Sequence, residues 1–130
     1  MNDTHDLEVV LRSHVPIVVI ETHDETRVVK QFQKMAVSLG KPVLYWTVVS
    51  GLQRVDLQPV NEEKPTDPRD VLKQMKDAPG PGVYLLMDFH PYLDDPMHVR
   101  LLKEIALGHD NIPRTVVLVS HELDVPAELS

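Results

Sequence analysis

The chain contains no cysteine, which excludes disulfides, thiolate metal sites and cysteine nucleophiles together. Glycine is scarce as well, with five in 130 residues and none before Gly40, so the first third of the chain has no glycine-rich loop to wrap a phosphate. Positive charge is in deficit: 13 Lys and Arg against 20 Asp and Glu give a net charge of -7, which repels phosphate backbones and anionic lipid. Arg27, Lys30 and Lys34 read as the solvated face of one helix rather than a basic patch. No stretch approaches the ~18 consecutive apolar residues of a membrane span, and the opening residues Met1 to Asp6 lack the basic and apolar regions of a secretion signal. These absences argue against a nucleic-acid or membrane partner and point to the cytoplasm.

What is present fits one globular unit covering residues 1–130. Hydrophobic residues make up 42% and charged residues 25%, and at this size folding hides roughly two-thirds of the unfolded chain's surface. Leu7, Val10 and Leu11 fall at helical spacing after a possible cap at Thr4, with Glu8 and Arg12 paired at i and i+4. Ile17-Val18-Val19-Ile20 is an unbroken β-branched run, the mark of a strand buried on both faces. Thr22 and Glu25 form a capping box before a stripe of Val28, Val29, Phe32, Met35, Ala36 and Leu39, which Gly40 and Pro42 end. Val43 to Val48 is a second strand. From Gly51 to Asp67 periodicity is lost and a long surface loop is expected.

Asp67-Pro68 opens a helix through Val71, Leu72 and Met75, and the Pro/Gly run from Pro79 to Gly82 follows it. Val83 to Met87 is a third buried strand. Asp95-Pro96 opens a helix along Val99, Leu102, Ile105 and Ala106, and Thr115 to Val119 is a fourth strand. Strands alternating with helices predict an α/β fold, a three-layer Rossmann-like parallel sheet of four or five strands with helices on both faces. Met35, Met75, Met87 and Met97 are expected in or near the core, and Trp46 in the packing of the sheet.

In such sheets ligands bind beyond the carboxyl ends of the strands. Four stretches lie there: Glu21-Thr22-His23-Asp24, Ser50-Gly51, Asp88-Phe89-His90 and Ser120-His121. The first has none of the G-x-x-x-x-G-K-[ST] pattern that converges amides, a lysine and a hydroxyl on phosphates. Glu21, Asp24 and Glu25 instead crowd carboxylates at the positive end of a helix, where they compete with any anion. Asp88 ends an apolar strand in the manner of a magnesium-holding acid, or else caps a turn, but Phe89 stands where an active hydrolase usually has a glutamate. Asp88, His90, Asp94, Asp95 and His98 are close in sequence, yet no His-x-x-x-His pair occurs on a helix and Asp95 is better used as a cap, with His98 facing outward. No metal site is assigned. His5, His14, His23, His109 and His121 are expected in loops or at helix ends.

The chain resembles the N-terminal region of AAA-type ATPases of the conserved plastid and cyanobacterial open-reading-frame family, which also occurs in other bacteria. The resembling segments are Asp6-Leu7-Glu8 through Pro16 to Thr22, Gly40 to Leu52, Leu86-Met87-Asp88-Phe89-His90-Pro91-Tyr92-Leu93, and Arg114 to Ser120 with Pro126, Glu128 and Leu129. The resemblance implies a degenerate, P-loop-NTPase-like domain preceding a catalytic AAA module that would carry ATP and magnesium. It places Asp88 at a vestigial acidic-motif position and Ser120 at a sensor position, both departing from the working pattern. The fragment is then expected to be non-catalytic, to need no cofactor of its own, and to have as its partner the downstream module, another protein, or a further copy through the parent protein. A second reading is a degenerate phosphorelay receiver, with Asp24 and Glu25 as strand-end acids and Asp88 as phosphoacceptor, followed by Pro91 and Ser120. A third is a metal-dependent hydrolase using Asp88 and His90.

Overall fold

The computed structural model describes residues 3–13, 15–56, 65–122 and 125–129. His14 and residues 57–64 of the expected loop lie outside the described residues. The elements are α1 (Asp3–Arg12), β1 (Ile17–Glu21), α2 (Glu25–Leu39), β2 (Val43–Thr47), β3 (Gly51–Arg54), α3 (Pro68–Asp77), β4 (Gly82–Met87), α4 (Pro96–Leu107) and β5 (Arg114–Ser120), with 3-10 turns at His90–Tyr92 and Ala127–Leu129. Thr4, expected as a cap, lies inside α1, where Arg12 is 3.0 Å from Glu8.

One sheet runs in the order β1-β5-β4-β2-β3, with every pairing parallel except the β2–β3 hairpin. The fold is therefore α/β and Rossmann-like, in three layers. One core lies between α1, α2 and the face bearing Val43, Val83, Leu85, Val117 and Val119. The other lies between α3, α4 and the face bearing Trp46, Tyr84, Leu86, Val116 and Leu118. Every residue of β4 and β5 is buried. A strand covered on both faces can be apolar at consecutive positions, and these two are.

Four details differ from the sequence reading. The opening four residues of the expected loop are strand β3: Thr47 Oγ1 accepts the Ser50 amide at 2.9 Å, Gly51 turns at φ 73°, and Leu52 pairs with Trp46 and is buried. Gly51 tolerates that positive φ without a Cβ clash. The buried stripe of α4 is His98, Leu101, Leu102 and Ile105, a one-residue rotation from the expected one, so His98 packs inward and its Nδ1 lies 2.8 Å from the Tyr92 carbonyl oxygen. Met97, expected in or near the core, is exposed on the outer side of α4, while His109 lies at the helix end as expected and is buried there, with Nδ1 3.1 Å from Arg114 O. β1, with the most uniformly β-branched sequence, is an edge strand and only partly buried.

Candidate functional site

The strand order decides where a crevice can open. β1 hands the chain to α2 on one face, while the chain leaving β5 returns on the other, its Ala127–Leu129 turn packed on α4. Neighbouring strands whose connections depart to opposite faces leave a gap at their carboxyl ends. That gap holds a cleft of about 200 Å³ lined by Thr22, His23 and Glu25 after β1, Asp88 after β4, and Val119, Ser120 and His121 at the end of β5. A larger cleft of about 410 Å³ lies away from the strand ends, on the flank of α4 between Leu93, Val99 and Pro126.

The turn from β1 into α2 is closed by its own side chains. Thr22 N donates to Ser120 O at 2.9 Å, tying the turn to β5. The expected Thr22–Glu25 capping box does not form. Thr22 Oγ1 instead accepts the Asp24 amide at 3.0 Å, and Asp24 is the N-cap, its carboxylate accepting the Arg27 amide at 3.1 Å. The helix starts two residues later than the capping box requires, because Asp24 is the better-placed acceptor for an unpaired first-turn amide.

Glu25 therefore turns its carboxyl to the cleft. Partial withdrawal from water, reinforced by the charge of Asp88, pushes that carboxyl above the usual glutamate range. Asp88 is exposed and sits at φ 54°, in the left-handed region, while its amide donates to Val119 O at 2.9 Å and anchors the strand end. Phe89 turns the other way. Its ring is fully buried, 5.5 Å from Trp46 and 5.4 Å from Tyr92 in edge contacts. The position after Asp88 thus serves the core on the α3–α4 face, not the cleft.

Ser120 is buried, with Oγ 2.6 Å from His90 Nδ1 and donating to Glu122 O at 3.2 Å. His121 meets His90 edge-on at 5.4 Å and stacks on His23 at 5.2 Å. Sequence reasoning left His23 and His121 as loop residues. Both directly follow strands, and the missing information was that β1 and β5 are neighbours. Among the described residues no three His, Asp or Glu side chains group as metal ligands, and the sequence-adjacent Asp95 and His98 are engaged elsewhere, with Asp94 exposed in the wall of the α4 cleft. Asp95 caps α4 by accepting the Met97 amide at 2.8 Å, a bond that, with His98 and Arg69 nearby, holds its carboxyl below the usual range.

The structure brings Glu25, Asp88 and Ser120 to one cleft and leaves Asp24 out of it, as a helix cap. This bears on the receiver reading. A receiver sheet has its first parallel strand between the second and third, in the order 2-1-3-4-5. Here the four parallel strands, counted along the chain, run 1-4-3-2, with β5 between β1 and β4. The acids after β1 and β4, Glu25 and Asp88, thus flank a third strand instead of facing each other from adjacent ones as the receiver reading of Asp24, Glu25 and Asp88 requires.

No solved structure matches significantly. The chain is similar to the uncharacterized AAA domain-containing protein ycf46 of Trieres chinensis, 25% identical over 99% of this chain and 26% of that protein. It is similar also to the proteins of that name from Guillardia theta, 26% identical over 100% of this chain and 26% of the relative, and Pyropia yezoensis, 25% identical over 100% and 27%. The chain thus spans about a quarter of the length of these relatives. Among the described residues no helix is long and apolar enough to cross a membrane. The profile of the SpoVK-like AAA ATPase N-terminal domain matches residues 3–130, and the chain belongs to that family.

Proposed function

We propose that this domain is a non-catalytic regulatory or interaction module of an AAA ATPase, and that nucleotide chemistry belongs to a separate module of the same polypeptide. The observation that carries the reading is the closed turn between β1 and α2. A phosphate site at a helix start needs free amides converging on the anion. Here the Asp24 and Arg27 amides are bonded by Thr22 and Asp24 side chains, and the carboxyls of Glu25 and Asp88 share the cleft. A triphosphate would meet carboxylates where it needs donors, and the residues present do not fit it. Phe89, buried against Trp46, offers nothing to an attacking water.

Titration of the domain with labelled ATP and magnesium is expected to show no saturable binding up to millimolar nucleotide. Micromolar binding that disappears when Thr22 to Glu25 are replaced would overturn the proposal.

A further inference from the structure

Helix α4 carries a second apolar stripe. Its inward face is His98, Leu101, Leu102 and Ile105, yet Pro96, Val99, Lys103 and Ala106 also recur at intervals of three, four and three, the spacing of a seam that packs on another helix. A surface helix ordinarily turns polar side chains outward wherever its core does not use them. Here Val99, Lys103 and Ala106 are only half-buried, and Leu107 beside them is 68% exposed.

That flank is hollow along its length. The cleft of about 410 Å³ has Pro96, Val99 and Lys103 in its wall, and another of about 330 Å³ has Lys103, Ala106 and Leu107. Lys103 and Glu128 belong to both, so the two form one groove between α4 and the Ala127–Leu129 turn. With 12 residues, α4 is about 18 Å long, three helical turns. A helix laid along it would set apolar anchors at i, i+3 and i+7 against the stripe.

Charge selects the helix. Lys76 and Arg100 both turn to Glu104, at 3.5 and 3.8 Å. Lys103 forms an ion pair with no carboxylate among the described residues, and the exposed Asp94 and Glu128 line the groove without pairing with it. A cation set part way into an apolar seam fixes the register of the facing helix through a carboxylate on that helix. A second copy using the same stripe would bring another lysine and no acid to the seam.

We propose that this groove seats an amphipathic helix of a partner protein, apolar along the seam and with a glutamate or aspartate opposite Lys103. The proposal rests on reading the domain as an interaction module and names its docking surface.

Fluorescence anisotropy on the whole polypeptide tests it. The probes are labelled helical peptides of about 14 residues, long enough to span α4, with leucine along the seam and glutamate or lysine at its centre. The glutamate peptide is expected to bind saturably and at least about 10-fold tighter than the lysine peptide. Lys103→Glu should invert that order, and its binding of the lysine peptide would show that the variant is folded. The thiol of Leu107→Cys should react freely with a maleimide in the absence of peptide and more slowly with the glutamate peptide bound. No saturable binding up to about 1 mM, or affinities that ignore the charge at position 103, would overturn the proposal. So would a Leu107→Cys thiol shielded without peptide, whether at every protein concentration, as by the protein's own chain, or increasingly with concentration, as by a second copy. These outcomes leave the ATP titration untouched, whereas micromolar ATP binding at the Thr22 to Glu25 turn would overturn the underlying reading without altering the peptide affinities.

Discussion

Asp88 holds φ 54° at the end of β4, a conformation that costs a residue with a Cβ roughly 1–2 kcal/mol and a β-branched one more. Glycine adopts it freely and asparagine tolerates it. Asp88→Gly is therefore expected to unfold at a urea concentration equal to or above wild type, Asp88→Asn to stay within about 0.5 kcal/mol, and Asp88→Val to lose about 1–2 kcal/mol. Equal losses for Gly and Val would show that the carboxylate, not the backbone, matters there. The same carboxylate acts on Glu25, whose pKa is raised above its ordinary 4.5, first by burial and then by Asp88. The folded state then binds the Glu25 proton more tightly than the unfolded chain does. Stability falls as pH rises from 4.5 toward the raised value, and that cost persists at neutral pH. Glu25→Gln removes it, so denaturation at pH 4 and pH 7 should show the variant gaining on wild type at pH 7 relative to pH 4. A pH-independent difference contradicts the assignment, and adding Asp88→Asn should shrink the gain.

At the scale of elements, the sequence shows most clearly what the core fixes. α2 is legible because Val28, Phe32, Met35 and Ala36 form a buried stripe that Gly40 ends at φ 67°. The Asp67 and Asp95 caps are legible because an acid before proline has one local use, and both carboxylates accept first-turn amides. Elements whose identity depends on partners are less visible. β3 contributes one buried apolar side chain before Gln53 and Arg54, too little alternation to signal a strand, and it exists because Trp46 and Leu52 pair across the hairpin. α4 is placed correctly but rotated, since a buried histidine counts as polar in any hydrophobic stripe. The positions of Glu25, Asp88 and Ser120 at strand ends were readable. Their convergence with His23, His90 and His121 was not, because it depends on strand order, which periodicity does not encode. Asp24 shows the converse: it stands beside Glu25 in sequence, and one amide hydrogen bond takes it out of the cleft.

At the scale of the whole molecule, the sheet and the two cores set the cleft, and the residues at its strand ends are held by packing and by turns. Phe89 packs on Trp46, Ser120 is held between His90 and the Glu122 carbonyl, and Asp88 anchors a turn through its backbone. In a working phosphoryl-transfer site, losing a group that stabilises the developing charge costs roughly 100-fold or more in turnover. On the proposed reading of this domain as a non-catalytic module of an AAA ATPase, Asp88→Asn and Ser120→Ala are expected to leave steady-state ATP hydrolysis of that polypeptide within about twofold of wild type. Any larger effect of a module that acts by docking should reach coupled properties, such as the concentration at which the protein assembles or the stimulation of hydrolysis by a bound partner. A fall of about 100-fold in turnover for Asp88→Asn, with assembly unchanged, would instead return Asp88 to the chemistry.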